Sequence, residues 1–166
     1  MGCGKNKEFH EENCVCQVVR AIKDLQDQAV AEECQPCTSC FNEPLGSLVS
    51  PTQETPDTRV FVLKTKDGSP FHAFFNTDVN TCVSIYFRVE EVFDNCCATL
   101  RVLVPGKMHG GKFSPVKLVS EDSCCINLGA HCDVNAFLPS NDCVTVDLSC
   151  FCAIQCIADV FLGICD

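Results

Sequence analysis

The stretch CVSIYFRVEEVFDNCCATLRVLV, residues 82–104, decides the fold. From Cys82 to Phe93 the pattern alternates: Ile85, Phe87 and Val89 fall on one side, and Ser84, Tyr86, Arg88 and Glu90 on the other. A period of two is that of a strand with one buried and one wet face. Asp94-Asn95 supplies a turn. Ala98, Leu100, Val102 and Val104 then repeat the alternation in a second strand.

Working outward, RVFVLKT (59–65) reads as another strand. It runs through a Lys66-Asp67-Gly68 turn into FHAFF (71–75), which predicts a hairpin. Pro105-Gly106 and Gly110-Gly111 bound a loop, and Cys124, Cys125 and Cys132 lie in a less regular stretch. The last strands are expected near 143–148 and 150–157. In the second of these, Cys150, Cys152 and Cys156 would share a face with Ile154. Adjacent thiols at Cys96-Cys97 and Cys124-Cys125 would point to opposite faces if extended, so each reaches for a different partner.

Before the strands, Asn13 to about Glu33 reads as an amphipathic helix. Val15, Val18, Val19, Ile22, Leu25 and Ala29 follow three- and four-residue spacings, and Asn13 suits the N-cap. Phe41 to Thr58 is a loop or linker with Pro44, Pro51 and Pro56. The expected fold class is mainly β: a compact antiparallel β-sandwich or barrel-like domain (59–166) preceded by a helical arm and linker (1–58), one structural unit overall.

The chain has 166 residues, enough to bury a core without staples, yet it carries 17 cysteines. A net charge of −10 argues against nucleic acid as a partner. The charge is uneven: after Lys117 there is no Lys or Arg, while Glu121, Asp122, Asp133, Asp142, Asp147, Asp159 and Asp166 follow. That half suits a basic partner or divalent cations. The polar start MGCGKNKEFHEEN has no apolar signal region, and no apolar run is long enough to span a membrane. Position 6 is Asn6, where the myristoylation pattern asks for Ser or Thr.

So much sulfur without an export signal has three readings: metal ligands, small buried hydrophobes, or thiols oxidised after synthesis. CQPCTSC (34–40), with CVC (14–16), offers zinc-like spacing. No second C-x2-C pair follows at zinc-ribbon distance, and no cofactor is expected. The histidines His10, His72, His109 and His131 sit in no catalytic frame, and GGKFS (110–114) lacks the first half of a P-loop. Glu90-Glu91 reads as a solvated strand edge rather than an acid/base pair. An odd thiol count means that at least one cysteine stays free, binds a ligand or pairs with another chain. Mobile tails and linkers favour reach between molecules, so Cys3, Cys14, Cys16, Cys34, Cys37, Cys40 and Cys165 are the candidates for inter-subunit disulfides. Cys82, Cys96, Cys143, Cys150, Cys152 and Cys156, in strands, are expected to be internal or buried.

ENCVC (12–16), FRVEEV (87–92), CCATLRVL (96–103) and above all VTVDLSCFCAIQC (144–156) resemble the cysteine-rich outer spore-coat and exosporium proteins of endospore-forming bacteria, the CotY/CotZ/ExsY family. The loop at 105–142 matches less well. The resemblance implies a structural protein and not an enzyme. It implies a homo-oligomer, forming hexamers and a higher two-dimensional lattice cross-linked by disulfides, alongside other spore-coat or exosporium proteins. It also implies synthesis in the mother-cell cytoplasm and residence at the spore surface, in coat, crust or exosporium. The alternative is a soluble zinc-binding or thiol redox protein.

Overall fold

The computed structural model describes residues 13–33, 55–77, 81–120 and 125–164. Helix α1 spans Cys14–Glu33. Asn13 caps it, its side-chain oxygen accepting from Val15 N at 2.9 Å. The buried stripe is Val15, Cys16, Val19, Ile22, Gln26 and Val30, whereas Leu25 is 50% exposed. Gln26 displaces Leu25 from the interface because its amide serves two main-chain groups. It donates to Val89 O at 2.9 Å and accepts from Arg59 N at 3.1 Å. A buried backbone group left unpaired costs about 1–3 kcal/mol, more than a half-buried leucine returns.

Among the described residues eight strands follow: β1 Thr58–Lys64, β2 Ala73–Asn76, β3 Thr81–Ser84, β4 Phe87–Val92, β5 Cys97–His109, β6 Lys112–Pro115, β7 Ala136–Asp147 and β8 Ala153–Val160. Six form one antiparallel sheet in the order β6-β5-β4-β1-β8, with β7 along the other side of β5. Register shifts in β1, β4 and β5 mark bulges that curl it. Strands β2 and β3 make a separate antiparallel pair. The protein is mainly β with an N-terminal helix, as the alternation predicted.

Four local expectations are corrected. The β1–β2 hairpin does not form. The turn itself closes, with Thr65 N donating to Ser69 O at 3.0 Å and Phe71 N to Leu63 O at 2.8 Å, but pairing stops at the Lys64–Pro70 bridge: β1 is central, flanked by β4 and β8, and β2 pairs with β3. The stretch 82–93 is not one strand but two, broken at Ile85-Tyr86, and its expected wet face is dry. Ser84, Tyr86 and Arg88 are each 0% exposed. The cause is a second core: Val60, Val62, Ile85, Tyr86, Leu103 and Leu118 are covered by Val116, Ile126, Ala130, Val134 and Phe137. The segment read as a loop thus roofs one face of the sheet. The opposite face packs on α1 and on Phe75, with Phe61, Phe87, Leu100 and Phe151 at its centre.

Third, Pro105-Gly106 does not end a strand. Strand β5 runs through both to His109, and Gly106 lies under the ring of Phe113, where a Cβ would collide. Gly110 and Gly111, at φ +58° and +76°, make the two-residue turn into β6, a conformation glycine adopts without strain. Strand β7 begins at Ala136, seven residues before the expected start, and includes Pro139. Proline lacks the N–H that a central strand needs and is at home at the rim of a sheet.

Candidate functional site

The functional groups to place are the thiols. Cys16 lies in the first turn of α1, and Cys96 in the β4–β5 turn, where it takes a left-handed φ of +62°. That turn is held by Cys96 N donating to Phe93 O at 3.1 Å, and by Leu148 N donating to Cys96 O at 3.0 Å. The two cysteines form a disulfide with Cα atoms 5.7 Å apart. Cys16, grouped by sequence with the thiols reaching between subunits, is instead fully buried and bonded within the chain. The reason is helical phase: Cys16 stands one position from Val15 and three from Val19, on the core side of α1. Cys150 is disulfide-bonded as well. Cys82 is half-buried against the core.

Cys143, Cys152 and Cys156 correct the opposite expectation. The sequence predicts them internal or buried, and all three are exposed with no disulfide within the chain. Strands β7 and β8 are the outermost partners of β5 and β1, so their outward side chains meet solvent. The expected common face of Cys150, Cys152 and Cys156 does not form, because Cys150 sits in a 3-10 turn, Leu148–Cys150, before β8 begins. Cys152 donates its thiol proton to Thr65 O at 3.0 Å. Cys14, at the start of α1, and Cys132 are exposed as well. Cys3, Cys34, Cys37, Cys40 and Cys165 lie outside the described residues, as does all of CQPCTSC.

Burial raises the thiol pKa of Cys143 above the usual 9.0; Arg101 opposes this, and Glu90 and Asp142 add to it. Less thiolate is therefore present at neutral pH, and thiolate is the nucleophile. The alkylation rate of Cys143 by iodoacetamide, followed by peptide mass spectrometry, is expected to keep climbing beyond pH 9. Arg101→Met should slow it further at neutral pH; an unchanged rate would show that the guanidinium does not act on this thiol.

Glu90 is not on a solvated edge. Its carboxylate bridges Arg88 at 2.8 Å and Arg101 at 2.6 Å, with the Arg88 side chain only 1% exposed. Arg88 Nε also donates to Thr58 Oγ at 3.0 Å, and Arg101 Nη1 to Ser140 O at 2.9 Å. The network joins β1, β4, β5 and β7. Nearby in the second core, the Tyr86 hydroxyl bonds Nδ1 of His131 and the rings stack 5.7 Å apart. Burial, with the Cys132 thiol beside it, pushes Tyr86 up to about 12. His131 is thus engaged at Nδ1 by a buried phenol. Among the described residues no three or more His, Cys, Asp or Glu side chains gather as a metal site.

The arrangement is a covalently pinned core with thiols along its rim, which suits cross-linking. The model of the family described as spore coat protein Z matches residues 1–159. The chain belongs to that family. It is 34% identical over 149 residues to spore coat protein Z of Bacillus subtilis (strain 168), covering 87% of this chain and 88% of that protein. No solved structure matches it. Membership in the spore coat protein Z family places the chain among proteins of the spore surface. No helix among the described residues is long and apolar enough to cross a membrane.

Proposed function

We propose that this protein is a structural subunit of the spore surface that assembles with its own copies into hexamers and a two-dimensional lattice, which disulfides between chains then lock. Its role is mechanical and protective, not catalytic. The observation that carries this reading is the placement of Cys14, Cys132, Cys143, Cys152 and Cys156 on the outside of a chain whose core is already cross-linked. Inter-chain bonds are assigned to these thiols together with Cys3, Cys34, Cys37, Cys40 and Cys165.

Timing follows from redox chemistry. Cytosolic thiols stay reduced, so the chain is made and delivered in that form. After the mother cell lyses, two thiols and dioxygen give one disulfide and hydrogen peroxide. Non-covalent contacts form first and can correct errors; the covalent bonds that follow resist dilution and heat until a reductant attacks them.

Electron microscopy of the recombinant protein, with and without strong reductant, tests the reading. Ordered sheets are expected in both samples, and only the oxidised sheets should survive boiling in detergent. Monomers in both would sink it, and metal analysis of anaerobically purified protein would then examine the zinc alternative.

A further inference from the structure

The two ends of β5 differ in charge. From Asn95 to Ser120 the chain has no Asp or Glu, but it has Arg101, Lys107, Lys112 and Lys117. Strand β5 carries this run to the β5–β6 hairpin, whose tip, Lys107 to Lys112, is exposed throughout. Met108 stands among these cations and is 45% exposed. Lys107 pairs with Asp133 at 3.3 Å. Lys112 and Lys117 are exposed and form no ion pair among the described residues. At the other end of β5, the β4–β5 turn presents Glu91 and Asp94, both exposed, on either side of Phe93, 40% exposed. Asp147 lies beside them, opposite Cys97 in the register. Strand β5 has 13 residues, so at about 3.3 Å per residue these ends are about 40 Å apart. They cannot meet within one chain.

We propose that copies of this protein dock head to tail, the basic β5–β6 hairpin of one copy on the acidic β4–β5 turn of the next. This rests on the assembly reading above and names its contact. Each end pairs an apolar side chain with a net charge: Met108 with Lys112 at the tip and Lys117 past the foot of the hairpin, and Phe93 with Glu91, Asp94 and Asp147, which outnumber the Arg20 guanidinium that donates to Phe93 O at 3.0 Å and Asp94 O at 3.2 Å. A thioether against an aromatic ring is a favourable contact, and opposite charges around it set the orientation and speed the encounter. Two different patches meet, so the contact is heterologous. Such contacts close into rings when the rotation per copy allows it.

Charge reversal with complementation tests the proposal. One variant carries Lys112→Glu and Lys117→Glu, and the other Glu91→Lys and Asp94→Lys. Sedimentation velocity is run at low salt, in whichever redox state the wild type assembles, after circular dichroism shows wild-type folding. Each variant alone faces like with like, and its association is expected to weaken at least about tenfold. An equimolar mixture restores opposite charges at every contact and should recover wild-type assembly. Wild-type assembly by either variant alone, or a mixture no better than its parts, overturns the proposal while leaving the assembly reading intact. A wild type monomeric in both redox states defeats the assembly reading itself. If either reversal misfolds, Met108→Glu at the exposed tip replaces it, with the same expected loss and the same overturning result.

Discussion

The oxidised Cys16→Ala variant is expected to unfold in urea with about 4 kcal/mol less stability than the oxidised wild type. The Cys16–Cys96 bond joins residues 80 positions apart. Chain-entropy estimates for closing a loop of that size give about 4.5 kcal/mol, and measured values usually fall at about 2–4 kcal/mol. A domain has only about 5–15 kcal/mol in all, so the loss is a large share of the total. Hydrogen exchange should place its first effect in α1, which the bond ties to the β4–β5 turn. Strong reductant should lower the wild type at least as far, because it also opens the Cys150 disulfide. Equal stability of reduced and oxidised wild type would refute the assignment. Cys96 adds a control, because its left-handed φ of +62° suits glycine. In the Cys16→Ala background, Cys96→Gly is expected to be about 1 kcal/mol more stable than Cys96→Ala.

Glu90→Ala should cost about 3–5 kcal/mol, again measured by urea unfolding. The substitution leaves the Arg88 guanidinium, 1% exposed, without the carboxylate 2.8 Å away, and turns Arg88 and Arg101 into neighbouring like charges. Breaking a buried ion pair by removing one partner costs this much because the remaining charge stays desolvated. Adding Arg88→Met to Glu90→Ala removes that charge and is expected to recover more than half of the loss. No recovery would mean that lost side-chain contacts, not charge, set the cost. The exposed Arg59–Asp159 pair, with N–O distances of 2.7 and 2.8 Å, gives the contrast. Asp159→Ala is expected to cost no more than about 1 kcal/mol, because solvent screens the pair.

The alternation of Ala98, Leu100 and Val102 was legible in the sequence because the core side of β5 is apolar at every second position. The start of α1 was legible from Asn13. What failed shares one cause. The roles of Ser84, Tyr86 and Arg88 depend on a roof built from Val116, Ile126, Ala130, Val134 and Phe137, remote in sequence, and a period of two cannot report whether the polar side is covered. Gln26 hid in the same way, since its partners Val89 O and Arg59 N are main-chain groups with no residue signature. For the thiols, local spacing located strands but not their order in the sheet. Cys143 and Cys156 are exposed because β7 and β8 finish at its rim, which pairing over the whole chain decides. Cys16 had a local signal in its helical phase beside Val15 and Val19.

Strand β5 also bears on mechanics. If neighbours hold it at its two ends, tension in the layer runs along a single covalent backbone of 13 residues. Its hydrogen bonds to β4 and β7 then lie across the line of pull and share the load in shear, rather than opening one after another as in peeling. A sheet tiled from such units would stretch as a net of ties when the spore swells. Its weakest members would be the joints between copies, where a disulfide does the most good.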